Sequence, residues 1–159
     1  MEFNYEEIEE FIRNCSEKTK FYIGADSQRI RKKKKKDKVA RYVITIIAHI
    51  DSKHGARVFG SVEYHPIVDA NLGKPFNRLF KEAELVVNTY ERLYEVLMDR
   101  DVELHIDVSP SELEGSYIAH NAAVGYIKGT TGITPKVKPE AFAASSCADH
   151  YVKSKYMPK

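Results

Sequence analysis

The chain has 159 residues, of which 43% are hydrophobic and 30% charged, with a formal net charge of +2. That length and balance suit one ordinary globular domain with a real core, and they argue against extended disorder. The mild net charge also excludes the strongly basic whole-chain signature of many nucleic-acid binders, so any electrostatic argument must rest on where the charge lies. The longest apolar run, Tyr42 to Ala48, is too short to span a bilayer, and the N-terminus Met1-Glu2-Phe3-Asn4-Tyr5-Glu6-Glu7 lacks the basic and apolar regions of a signal peptide. The expectation is a cytoplasmic protein with no membrane partner. Cys15 and Cys147 show no CxxC spacing and read as reduced thiols.

Taken in order, residues 5 to 13 predict a short amphipathic helix, with Tyr5, Ile8, Phe11 and Ile12 on one face and Asn4 as its N-cap. Phe21 to Ala25 reads as a strand buried on both faces, ending on Asp26. A basic loop, 29–38, gathers Arg31, Lys32, Lys33, Lys34, Lys35 and Lys36. Val39 to Ile50 is β-branched and aromatic enough for a second strand, and Ala56 to Tyr64 for a third across the polar turn Ser52-Lys53-His54-Gly55. Short connections make these three an antiparallel meander.

Beyond the loop from Pro66 to Pro75, apolar residues from Phe76 to Leu97 fall at i, i+3, i+4, i+7 over six turns and predict one long helix. Val102 to Val108 follows as a fourth strand, which a helical crossover allows to enter parallel to the first. Ser111 to about Lys128 reads as a helix, Ile133 to Pro139 as an extended segment with Lys136 and Lys138 on one face, and Ala141 to Lys153 as a final helix holding Asp149.

Two strands of the same design thus end in carboxylates, Asp26 and Asp107. If they lie side by side the acids meet, and facing carboxylates are tolerated only when one is protonated or a cation bridges them. Taken singly, an aspartate at a strand end is more often a turn or cap residue than a ligand. His105, alternating with Ile106, reads as a histidine that packs on the sheet rather than as a metal ligand.

The order of elements and four short motifs resemble the ribonuclease H-like superfamily, and within it the YkuK-type family. The motifs are Ile23-Gly24-Ala25-Asp26-Ser27-Gln28, Lys81-Glu82-Ala83, His105-Ile106-Asp107-Val108-Ser109-Pro110 and Ala143-Ala144-Ser145-Ser146-Cys147-Ala148-Asp149. The resemblance implies an α/β protein: one RNase H-like domain over 1–159 with a mixed five-stranded sheet, an antiparallel meander followed by parallel crossovers, flanked by helices. It also implies a carboxylate set of Asp26, Glu82, Asp107 and Asp149. Helical geometry leaves Glu82 and Glu84 open, since they border the apolar stripe at similar angles, while the family's pattern favours Glu82.

Such carboxylates would hold two Mg²⁺ or Mn²⁺ ions for hydrolysis of phosphodiester bonds, making the chain a nuclease acting on RNA, DNA or a hybrid. His150, beside Asp149, is a candidate proton shuttle. The lysine run, with Lys136 and Lys138, could contact phosphates, or the run could simply be a solvated loop. The alternative reading is a non-catalytic RNase H-like module that binds nucleic acid or acts as an adaptor. A proofreading-type exonuclease expects a second acid two residues after the first, where this chain has Gln28.

Overall fold

A computed structural model of the protein describes residues 2–30, 39–67, 76–107, 117–137 and 140–144. Helix α1, Tyr5–Asn14, starts as its sequence predicts: the Asn4 side chain accepts a hydrogen bond from Glu7 N at 3.2 Å, and Ile8 and Ile12, one turn apart, are buried. Cys15, just past its end, is a free thiol whose Sγ donates to Ile12 O.

Strands β1 (Lys20–Ile30), β2 (Val39–His49) and β3 (Ala56–Pro66) form the expected antiparallel meander, paired from Lys20↔His49 to Ile30↔Val39 and from Val39↔Pro66 to His49↔Ala56. The turn before β3 uses Gly55 at φ +88°, a conformation that glycine adopts without a Cβ penalty. Strand β4 (Asp101–Ile106) lies parallel to β1, giving the order β3-β2-β1-β4.

Side chains alternate across these strands. Phe21, Ile23 and Ala25 of β1, Tyr42, Ile44 and Ile46 of β2, and Leu104 and Ile106 of β4 form one core with the helices. The opposite face carries Gly24, Asp26, Thr45, His105 and, by continuation, Asp107. Helix α2 (Phe76–Arg92) packs against β1 and β4, and helix α4 (Tyr117–Thr131) packs on α2 through Ala119, Ala123 and Ile127.

Four expectations change. First, the sheet has four strands among the described residues, not five. The segment after α4 touches β4 at one parallel bridge, His105↔Lys136, with Lys136 N donating to Leu104 O (2.8 Å) and Ile106 N donating to Lys136 O (3.0 Å). Second, β1 does not stop at Asp26 but runs four residues further to Ile30, because β2 pairs with it along its whole length after β4 has ended. Asp26 therefore sits inside a strand, at the step where its second neighbour is lost.

Third, the long helix is interrupted. Leu93 takes φ −104°, ψ 11°, its N–H is shared between Thr89 O and Tyr90 O, and the short helix α3 (Tyr94–Leu97) follows. Thr89 contributes to the bend, since its hydroxyl donates back to Leu85 O at 2.8 Å. Fourth, β4 ends at Ile106, so Asp107 lies just beyond it rather than within it. The predicted helix start at 111–116, and all of the final helix beyond Ala144, lie outside the described residues.

Candidate functional site

The last parallel pair of β1 and β4 is Ala25↔Ile106. One step further along each chain come Asp26 and Asp107, so the register brings the two aspartates to the same end of the same strand pair and, by alternation, to the same face. Both are partly buried. One oxygen of Asp26, Oδ1, accepts a hydrogen bond from Ser27 N at 2.9 Å.

Glu82 reaches this end of the sheet from α2. The choice between Glu82 and Glu84 is decided by packing: Glu82 is 1% exposed, whereas Glu84 points outward and pairs with Lys81 at 3.5 Å. Burial holds the Glu82 carboxyl well above its ordinary value of 4.5, and the charges of Asp26 and Asp107 push it in the same direction. Working against them are a hydrogen bond from Ser27 Oγ to Glu82 Oε1 and the guanidinium of Arg78, whose Nη1 lies 3.9 Å from the same oxygen. Arg78 Nη1 itself donates to Ser27 Oγ (2.7 Å) and to Ser27 O (3.1 Å). The other Glu82 oxygen, Oε2, is buried and has no hydrogen-bond partner among the described residues.

Ser27 and Arg78 are absent from the site as the sequence suggests it. Ser27 is adjacent to Asp26, and Arg78 is four residues before Glu82, the spacing that places two side chains on one helical face. Asking which cation accompanies a buried glutamate would have pointed to Arg78.

The donor set fits a hard divalent cation in chemistry: carboxylate oxygens only, one of them buried and unpartnered, with more negative than positive charge around them. It is not a closed cage, since no three His, Cys, Asp or Glu side chains among the described residues are grouped so that they could hold a metal ion. Asp149 and His150 lie outside the described residues, as do Lys138 and the basic run Arg31, Lys32, Lys33, Lys34, Lys35 and Lys36. The described strands on either side of that run are paired up to Ile30 and Val39. Lys136 is exposed beside β4. Arg78 also forms part of the wall of a cavity of about 250 Å³, which it shares with Tyr42, His65 and Lys81 and to which no carboxylate among the described residues contributes.

His105 is fully buried and is not directed at the acids. Its Nδ1 accepts a hydrogen bond from Ala143 N at 3.1 Å and its Nε2 lies 3.0 Å from a Glu103 oxygen, an arrangement that puts the proton on Nε2. It packs on the sheet, as its alternation with Ile106 predicts.

Among the described residues no helix is long and apolar enough to cross a membrane. Comparison with curated proteins and with solved structures finds no match. A family model described as ribonuclease H-like matches residues 4–153, most of the chain. The chain belongs to the ribonuclease H-like family.

Proposed function

We propose that the protein is a divalent-metal-dependent nuclease that hydrolyses phosphodiester bonds of nucleic acid by a two-metal-ion mechanism. The observation that carries this reading is the buried Glu82, whose Oε2 has no hydrogen-bond partner among the described residues and whose carboxyl feels the charges of Asp26 and Asp107 at the end of the parallel pairing of β1 and β4. A protein retains such a group at a cost in stability unless a ligand completes it. Asp26, Glu82 and Asp107, with Asp149 from the C-terminal stretch, would hold the ions. When bound, two Mg²⁺ or Mn²⁺ ions supply an activated water and charge stabilisation at the leaving oxygen. The chain's own contribution would be to hold Asp26 in β1, Asp107 just past β4 and Glu82 on α2, and to offer Arg78, Lys81 and Lys136, with the basic loop, to the phosphate backbone; such contacts position a strand without reading its sequence.

The test is incubation of the protein with labelled RNA, DNA and hybrid, with and without Mn²⁺. Asp26→Asn and Asp107→Asn are each expected to lower cleavage by on the order of 10²-fold or more, the effect of losing several kcal/mol of transition-state stabilisation. Cleavage that is unchanged in both variants, or absent with every substrate, would sink the reading.

A second reading is favoured by one observation, the lack of a closed metal cage among the described residues. It is a non-catalytic module that binds nucleic acid through the same fold. Binding that falls steeply with salt but is indifferent to Mn²⁺ would favour it.

A further inference from the structure

We infer that Ser27 and Arg78 are positioning residues that make Glu82 a one-oxygen ligand; this rests on the metal-dependent reading above. A carboxylate has two oxygens and can offer both to one cation or close a forked, bidentate pair with an arginine. Glu82 and Arg78 stand at i and i+4 on α2, where such a pair could form and neutralise the acid outright. It does not form. The guanidinium stays 3.9 Å from Glu82 Oε1, and its Nη1 is directed instead at Ser27 O and Ser27 Oγ.

Ser27 stands between the two charges. Its hydroxyl has one proton and two lone pairs: a lone pair takes the Arg78 bond, and the proton is thereby left for Glu82 Oε1. Ser27 is 6% exposed and Glu82 1%, so solvent has little access to replace this contact. The carboxylate is held by one oxygen and cannot rotate freely about its terminal bond, while Oε2 stays buried and unpartnered among the described residues. Ser27 belongs to β1, which pairs with β2 along its full length, so the hydroxyl is carried by a hydrogen-bonded strand. A helix-borne carboxylate is thereby held by the residue that follows Asp26 in the strand.

The measurement is calorimetric titration of Mn²⁺ into metal-free protein, with circular dichroism to verify folding of each variant. Ser27→Ala is expected to weaken Mn²⁺ binding on the order of 10- to 100-fold, the usual effect of removing a group that orients a metal ligand, and Ser27→Thr, which keeps the hydroxyl, should restore most of it. Ser27→Cys, of nearly the same size but a weak donor, should also bind more loosely and serves if Ser27→Ala does not fold. Arg78→Gln separates positioning from charge. A guanidinium that merely repelled the metal would, on removal, leave tighter binding, whereas loss of positioning leaves weaker binding. Wild-type affinity in folded Ser27→Ala or Ser27→Cys, or tighter binding in Arg78→Gln, overturns the inference and leaves the metal site standing. Absence of Mn²⁺ binding by the wild-type protein overturns the metal reading and this inference together.

Discussion

Strand β1 carries a buried polar constellation on each of its faces, and the two are built on opposite plans. On one face, Thr45, Gly24 and His105 form a row across three strands, Gly24 being paired with both. A single residue, Ala143, is gripped over this row: Thr45 Oγ1 donates to Ala143 O at 3.0 Å, and Ala143 N donates to His105 Nδ1. The histidine's other nitrogen meets Glu103, and Glu103 in turn accepts from Lys20 at 2.9 Å. Each of these groups has a partner. On the other face, the chain Arg78, Ser27, Glu82 ends in an oxygen that has none among the described residues, and the Arg78 Nε is likewise buried without one.

The difference separates scaffold from site. A satisfied buried network rigidifies the fold, whereas an unsatisfied one is costly and marks a place where something else is expected to bind. The closed constellation pins the start of the C-terminal stretch to the sheet, on the face that Asp26 and Asp107 share. The open one holds Glu82 from α2 on the other face, near enough for the charges of Asp26 and Asp107 to raise its pKa.

The largest expected effect comes from breaking the closed side at its narrowest point. A Cβ on Gly24 would lie 2.5 Å from both Ala143 C and Ala144 N, backbone atoms that cannot step aside alone. Gly24→Ala should therefore lower the unfolding free energy by about 1–3 kcal/mol, measured by urea denaturation. Wild-type stability would mean that the 140–144 segment is not held as described.

The two sides should also respond to pH with opposite signs, in protein stripped of metal by a chelator. The folded-state pKa of Glu82 is raised, so the native state binds more protons than the unfolded one; stability is full below the ordinary glutamate range and declines as pH rises through the raised value. His105 is held below its ordinary 6.5, first by burial, against the pull of Glu103. Its contribution is full above 6.5 and is lost as pH falls through the lowered value. Thermal midpoints measured across pH for wild type, Glu82→Gln and His105→Leu should show the alkaline decline reduced in the first variant and the acid decline reduced in the second. Glu82→Gln should in addition be more stable than wild type at alkaline pH while losing Mn²⁺ binding, because it removes a buried charge and a ligand at once.

The smallest effect is expected from Thr45→Val, which removes one hydroxyl of similar size from the closed network. It should cost about 1 kcal/mol, and, unlike Ser27→Ala, should leave Mn²⁺ binding close to that of the wild type. Equal losses of metal binding in the two variants would erase the distinction between the two faces.

Much of this arrangement is legible in the residues themselves. The meander, the parallel entry of the fourth strand and the acids at the end of the central pair follow from hydrophobic period, turn chemistry and the length of the crossover. The end of β1 did not: its apolar run stops at Ala25, but the strand continues because β2 supplies hydrogen bonds whether or not the side chains are apolar. The fifth strand is not formed among the described residues: the extended, lysine-bearing stretch meets β4 at the single bridge His105↔Lys136. The break at Leu93 was equally invisible to periodicity, because Leu93 and Leu97 keep their place in the buried stripe on both sides of it.

The sequence by itself determined which strands carry the acids and how far apart along the chain they lie, because burial pattern and β-propensity act locally. Only the tertiary structure decided which glutamate turns inward, that Ser27 and Arg78 stand between it and neutralisation, and that Gly24 lies beneath Ala143. Those are matters of packing between residues 51 to 119 positions apart, where the balance of desolvation, hydrogen bonding and close contact depends on which surfaces meet.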